Sequence, residues 1–281
     1  MKIHNLKIQA QYALPKLNGE KLFEIGKKNL EHETNQLSLL ICEDSMEIQE
    51  NKVYNCDCIE LMREMVEQNI KVDCVITDPP YLMSYKTGYR QDKQDRFCDV
   101  IPNDDNEQLI KDYIMLCSQI MEDDTALYCF CNANKIDVFK QEIEKYFSIK
   151  NIIVWVKNNW SAGDLQAQLG KQYEFCIYAN KGRRVFNGEK RLTDVWFFDR
   201  CSGNEQVHQN QKPLPLIYQM LKLSTNIGDL VFDGFMGAGT TAVACKRLER
   251  KYIGAEIDEY YYKVCEQRLA QENNQLSLFD L

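Results

Sequence analysis

From Val53 onward, short apolar runs rich in β-branched residues alternate with segments whose apolar positions recur every three or four residues. A run such as Val72–Thr77, closed by two prolines, reads as a buried strand, and the periodic segments read as amphipathic helices. The pattern predicts strands near 53–56, 72–77, 125–131, 149–155, 173–179, 229–233 and 252–257. Helices are predicted near 59–68, 104–121, 135–146, 213–223, 239–249 and 259–273. Seven strands interleaved with helices imply an α/β fold built on a doubly wound sheet. The strand at 173–179 follows the one at 149–155 with no helix between them, which predicts a hairpin and one antiparallel strand. Residues 1–50 are polar with scattered apolar positions and form an N-terminal extension, with a weak helical signal from Leu22 to Leu30. The main domain is expected over 51–273, followed by a tail at 274–281.

Two strand ends carry chemistry. The first is Asp78-Pro79-Pro80-Tyr81. The prolines stop both helix and ladder, since neither donates an N–H, and they push the preceding residue towards an extended conformation. That leaves a carboxylate, a carbonyl that no helix consumes and an aromatic face at the carboxyl end of a strand, where open α/β sheets place ligands. Such a set can grip an amino group on a flat heterocycle. The second is the strand ending at Asp233, which enters Gly234-Phe235-Met236-Gly237-Ala238-Gly239-Thr240-Thr241 and then an alanine-rich helix. Strand, glycine turn and helix N-terminus make a nucleotide-type pocket. The next strand ends in Glu256, where dinucleotide folds hold a ribose hydroxyl pair.

Taken together, these segments resemble the DNA amino-methyltransferases that use S-adenosylmethionine. Their catalytic motif is Asp/Asn/Ser-Pro-Pro-aromatic and their cofactor motif Phe-x-Gly-x-Gly. Here the catalytic motif precedes the cofactor motif, the order of the family's β group. Asn55 to Met62 is similar to the segment that commonly precedes the catalytic strand, and His208-Gln209-Asn210-Gln211-Lys212-Pro213 to the family's His-Pro-Thr-Gln-Lys-Pro. The resemblance covers residues 51 to 270, with two departures: Gly234 and Gln209 stand where prolines are usual. It implies a Rossmann-like sheet with circularly permuted motif order. Rotated to begin at 229–233, the chain would set the cofactor and catalytic turns side by side, although Asp78 and Asp233 are 155 residues apart.

The resemblance also implies roles. Asp78, Pro79, Pro80 and Tyr81 would be catalytic, with Tyr81 stacking on the base. Asp57, Lys212, Asp233, Phe235, Gly237, Gly239, Thr240 and Glu256 would bind the cofactor: Glu256 at the ribose, Asp57 at its adenine amine, Lys212 at its methionine carboxylate. His208 is expected to be a structural loop residue. The reaction implied is methyl transfer to adenine N6 in a specific DNA sequence, by base flipping and direct attack. Asp78 favours adenine, because β-group enzymes acting on cytosine N4 usually carry Ser there; cytosine N4 is the nearest rival. A catalytically silent DNA-binding relative is the alternative of another class. Protein-glutamine methylating enzymes have the opposite motif order.

A net charge of −8 argues against a protein that coats nucleic acid, but not against one local basic surface. Lys181, Arg183, Arg184, Lys190 and Arg191 stand against Glu189 for a net of +4, within a short candidate recognition insertion at 182–210. A candidate active-site loop at 84–103 offers Tyr85, Lys86 and Arg90 to a sugar-phosphate backbone. The twelve cysteines lack zinc spacing and read as reduced thiols with no metal site. With no apolar run near the ~20 residues of a membrane helix and no signal peptide, the expected setting is cytoplasmic, in bacterial or phage use. Double-stranded DNA is the expected partner, and a homodimer is common among similar proteins. Gln275-Leu276-Ser277-Leu278-Phe279 resembles the motif by which bacterial proteins dock on the polymerase sliding clamp, with Gln275, Leu278 and Phe279 as anchors. A second copy, Gln36 to Leu40, cautions that such pentapeptides arise by chance.

Overall fold

A computed structural model describes residues 46–82, 105–160, 166–188, 190–201 and 211–279, with side chains to 272. Ile48–Leu281 forms one compact unit. In chain order its elements are β1 (Lys52–Tyr54), α1 (Cys58–Glu67), β2 (Val72–Thr77), α2 (Glu107–Ile120), β3 (Met121–Cys131), α3 (Ile136–Ile143) and β4 (Ser148–Val156). They continue as β5 (Tyr173–Lys181), β6 (Val195–Phe197), α4 (Leu214–Ser224), β7 (Leu230–Asp233), α5 (Thr240–Arg247), β8 (Lys251–Ala255) and α6 (Glu259–Phe279). The strands form one eight-stranded sheet in the order β1-β8-β7-β2-β3-β5-β4-β6. All seven anticipated strands are present; the eighth, β6, is a three-residue edge strand paired with β4 through Val154 and Val195.

Side chains alternate across the sheet as the strand period requires. Cys74 and Ile76 of β2 and Ala126, Tyr128 and Phe130 of β3 share one core with Leu216 and Met220 of α4, Ala242 and Val243 of α5 and Leu269 of α6. Their neighbours Val75, Leu127 and Cys129 are equally buried and face the other side, where α1, α2 and α3 pack in succession. Both faces are covered, which is why these strands read as continuous apolar runs.

β5 is antiparallel to both β3 and β4, and every other strand pair is parallel. The reversal carries the start of β5 to the rim where the other strands end: Cys131 pairs with Phe175, and Val156 with Tyr173. Its last residue, Lys181, lies opposite Thr125 at the other rim. The helix expected to finish near Asn273 instead continues as α6 to Phe279. Among the described residues no helix is long and apolar enough to cross a membrane, and no cluster of His, Cys, Asp and Glu could hold a metal ion.

Candidate active site

Four neighbouring parallel strands, β1, β8, β7 and β2, end on the same rim, and each delivers part of the site. After β1, Asp57 caps α1, its carboxylate accepting from the Ile59 amide at 2.7 Å. After β8, Glu256 accepts from the Gly237 amide at 2.6 Å and from the Asp258 amide at 2.9 Å. After β7 comes the glycine turn, and after β2 comes Asp78. Pairing of Cys74 with Val231 and Val75 with Phe232 sets the last two side by side.

The turn is ordered from within. Asp233 accepts from the Phe235 amide at 3.0 Å and from the Thr241 hydroxyl at 2.7 Å. Burial pushes its carboxyl up to about 7. Gly237 and Gly239 have φ of 54° and 81°, the left-handed region that glycine enters without penalty. A Cβ at Gly239 would lie 2.4 Å from Cys265 Sγ of α6. Thr240 opens α5 directly behind the turn. The arrangement fits a nucleotide-type cofactor: close-approach backbone, a helix N-terminus and the Glu256 carboxylate against it.

Gly234 explains itself through Tyr113 of α2. The Tyr113 hydroxyl donates to Thr77 Oγ1 at 2.8 Å and accepts from the Gly234 amide at 3.2 Å. Its ring lies 4.9 Å from that of Phe235. A Cβ at Gly234 would come within 2.5 Å of the Tyr113 ring. The space and the amide that a proline would remove are used by a tyrosine strut joining the cofactor turn to the catalytic strand.

Around Asp78 the structure assembles a charge network. The Tyr81 hydroxyl donates to Asp78 Oδ1 at 2.5 Å, and Lys212 Nζ donates to Oδ2 at 2.5 Å. The same ammonium lies 3.2 Å from the Tyr81 oxygen and 3.3 Å from Glu174 Oε2, and 4.7 Å above the Phe130 ring. Lys157 binds the other oxygen of Glu174. Burial pushes the Asp78 carboxyl up, with Lys212 opposing. Burial also acts against Glu174, but Lys212 and Lys157 outweigh it and hold that carboxyl at about 2. Lys212 stays charged, because two carboxylates outweigh its burial.

Other candidate residues have these surroundings. Lys212, assigned to the cofactor's methionine carboxylate, has only 7% of its side chain exposed and pairs with Asp78 and Glu174. Tyr81 is held by its hydroxyl on Asp78. The basic cluster at 181–191 begins on the rim opposite Asp78: from Glu174 to Lys181 is seven strand steps, about 23 Å at ~3.3 Å each. Lys181 donates to the Met121 carbonyl at 2.7 Å. Arg184 is committed to the Ser224 and Val185 carbonyls and to Asn187 at 3.0, 2.7 and 2.9 Å. Arg183, Lys190 and Arg191 are exposed nearby. Tyr85, Lys86, Arg90 and His208 lie outside the described residues, as do the side chains of Gln275, Leu278 and Phe279.

Sequence reading missed Glu174, Lys157 and Tyr113. The signal for Glu174 was present: an acid opening a reversed strand must sit on the rim where its neighbours end. That rim also exposes large apolar residues, among them Trp160 at 67% and Phe197 at 74%.

Comparison with known proteins agrees with this geometry. A family model described as DNA methylase matches residues 72–267. The Type II methyltransferase M.HinfI of Haemophilus influenzae is 27% identical over 253 residues, 79% of this chain and 68% of that protein. The crystal structure of the M1.HpyAVI–SAM complex is 30% identical, covering 78% of this chain and 98% of that one, with a TM-score of 0.62. The cytosine-N4-specific PvuII DNA methyltransferase shares the fold at 14% identity, covering 76% of this chain and 84% of that one, with a TM-score of 0.61.

Proposed function

The chain belongs to the DNA methylase family, and on that premise we propose that it methylates the N6 amine of adenine in a specific sequence of double-stranded DNA. It is a DNA amino-methyltransferase of the N6/N4 kind, and S-adenosylmethionine is its methyl donor. When bound, that group supplies a methyl carried on a positively charged sulfur. The turn from Phe235 to Thr240 would hold its methionine portion, Glu256 its ribose and Asp57 its adenine amine.

The observation that carries the reading is Asp78, an acid at the end of β2 beside the cofactor turn. An exocyclic amine is a weak nucleophile because its lone pair is delocalised into the ring. The Asp78 carboxylate and the Pro79 carbonyl would each accept one of its N–H groups, favouring a pyramidal nitrogen whose lone pair points away from both. A carboxylate has about four lone-pair positions, so Asp78 can take the amine while the Tyr81 hydroxyl holds another of its sites. Tyr81 orients Asp78 and offers its ring to the base. Asp rather than Ser at this position favours adenine over cytosine N4.

The target base must leave the duplex to reach this depth, at a cost of a few kcal/mol in unstacking that contacts to the flipped base offset. DNA would approach the rim that holds Asp78, with Trp160, Lys171, Phe197 and Arg200 on its flank. A homodimer remains part of the proposal. So does clamp docking by Gln275 to Phe279, which requires the end of α6 to unwind into a flexible tail. Incubation with unmethylated genomic DNA, digestion and mass spectrometry should yield N6-methyldeoxyadenosine. N4-methyldeoxycytidine as the product would overturn the choice of base and leave the family intact.

A further inference from the structure

Lys212 is one buried cation shared by two half-buried acids. Its ammonium sits 2.5 Å from Asp78 Oδ2 and 3.3 Å from Glu174 Oε2. Glu174 Oε2 is enclosed, and the Lys212 ammonium is its cation, at the longer of the two distances. The other Glu174 oxygen is fixed by Lys157. Lys157 in turn lies 4.9 Å over the Trp155 ring. The four charges cancel in pairs, yet Lys212 is closer to Asp78 than to Glu174.

Resting on the methyl-transfer reading above, we propose that Glu174 is a positioning residue, the second seat to which Lys212 moves when the target amine takes Asp78. In the empty site Lys212 opposes the burial that pushes the Asp78 carboxyl up. When the amine donates to Asp78, the ammonium closes on Glu174 Oε2, so the base does not have to displace a bound cation into solvent. Glu174 touches neither base nor cofactor; it acts on Asp78 through Lys212.

The titratable groups facing Asp78 are Lys212 and Tyr81 in contact, Glu174 and Cys176 of β5, Cys129 and Cys131 of β3, and Asp233 of β7. Glu174 also faces Lys157 and Lys171 of the β4–β5 hairpin. Burial pushes the three cysteine thiols up, so they stay neutral through the working range. Asp233 is common to every variant below. Differences in the acid limb of kcat therefore report Asp78, as tuned by Lys212, Glu174 and Lys157.

The test follows transfer of labelled methyl from S-adenosylmethionine to unmethylated genomic DNA as a function of pH, whichever base receives it. Failure of the adenine assignment therefore leaves the test standing. In Glu174→Gln, Lys212 loses its second seat and stays on Asp78. kcat should fall by about tenfold or more, equivalent to about 1.4 kcal/mol of added Lys212–Asp78 pairing, with KM changed less than kcat. The acid limb should move to lower pH. Lys157→Met should move it to higher pH, because Glu174 then draws Lys212 away from Asp78. Glu174→Asp, which keeps the charge, should hold the limb near the parent's. Opposite shifts in Glu174→Gln and Lys157→Met support the proposal. Shifts in one direction, or an unmoved limb in either, overturn it. If Glu174→Gln does not fold, Lys157→Met decides alone: an upward shift supports the proposal, and no shift or a downward one ends it.

Discussion

Replacing Tyr113 with Phe removes one oxygen and keeps the ring. That oxygen makes two bonds, to Thr77 Oγ1 at 2.8 Å and from the Gly234 amide at 3.2 Å. Gly234 is buried, so its N–H has no route to water, and an orphaned buried donor costs about 1–3 kcal/mol. The ring contacts with Phe232 and Phe235 survive, so no cavity term is added. For a domain of this size each kcal/mol moves the melting temperature by about 2–4 °C; the expected drop is roughly 2–12 °C. Because Gly234 opens the cofactor turn, the Kd for S-adenosylmethionine should rise as well, by about tenfold if 1.4 kcal/mol is expressed there. Gly234→Pro, which restores the residue usual in similar proteins, should be worse still, since a Cβ there meets the Tyr113 ring at 2.5 Å. The two sites should couple. In a Tyr113→Ala background the Gly234→Pro penalty should shrink by more than about 0.5 kcal/mol, the usual limit of additivity. Differential scanning fluorimetry and cofactor calorimetry on the parent and the four variants measure both effects. A Tyr113→Phe protein that melts with the parent, or a Gly234→Pro penalty equal in both backgrounds, refutes the strut.

Asp78→Ala should abolish methyl transfer while leaving cofactor affinity within about tenfold, some 1.4 kcal/mol; calorimetry beside a transfer assay separates the two, and retained turnover defeats the assignment. Gly239→Ala should lower stability and cofactor affinity together, because φ is 81° and the new methyl lies 2.4 Å from Cys265 Sγ; unchanged melting would count against the close packing. Asp233, raised to about 7, contributes stability that is fully present below its unfolded value near 3.9 and is lost as pH rises through 7. Asp233→Asn should therefore gain on the parent between those limits, by at most about 4 kcal/mol at 1.36 kcal/mol per unit, and melting curves at pH 4 and pH 8 check the sign. Arg184→Ala should lower the melting temperature and leave DNA affinity unchanged in a gel-shift titration; weakened DNA binding in a fully folded variant would return the basic cluster to the interface.

The parallel strands were legible because both faces are covered, so that Val72–Thr77 and Leu230–Asp233 read as unbroken apolar runs. Asp78 and the glycine turn were legible because proline and glycine constrain the backbone locally. What could not be read depends on contacts across the sheet. The partner of Lys212 is set by a strand that runs backwards, 38 residues earlier by the numbering, and no local pattern records which acid faces it. The placement of the basic run at 181–191 was hidden for the same reason: charge density is visible in sequence, but the rim on which it falls depends on β5. Tyr113 is a core aromatic on α2 whose hydroxyl finds Thr77 and the Gly234 amide only once the sheet is assembled. β6 was too short, at three residues, to stand out from the loop that holds it.

Because β5 runs against its neighbours, the two long connections flanking it open onto opposite rims. The β4–β5 connection is pinned at its base by reciprocal bonds of 2.8 Å between Lys157 and Gln172, on the rim that carries Asp78. The one after Lys181 departs from the other rim, where Arg183 meets Asp124 at 2.6 Å. Lengthening a surface loop costs only about 0.6 kcal/mol per doubling, so both are open to grafting with the sheet register intact. A segment spliced between Lys157 and Gln172 would alter which stretches of substrate the enzyme accepts. The same segment spliced after Arg183 would act as a handle, tethering the catalyst to a second protein or a surface while its working side stays clear.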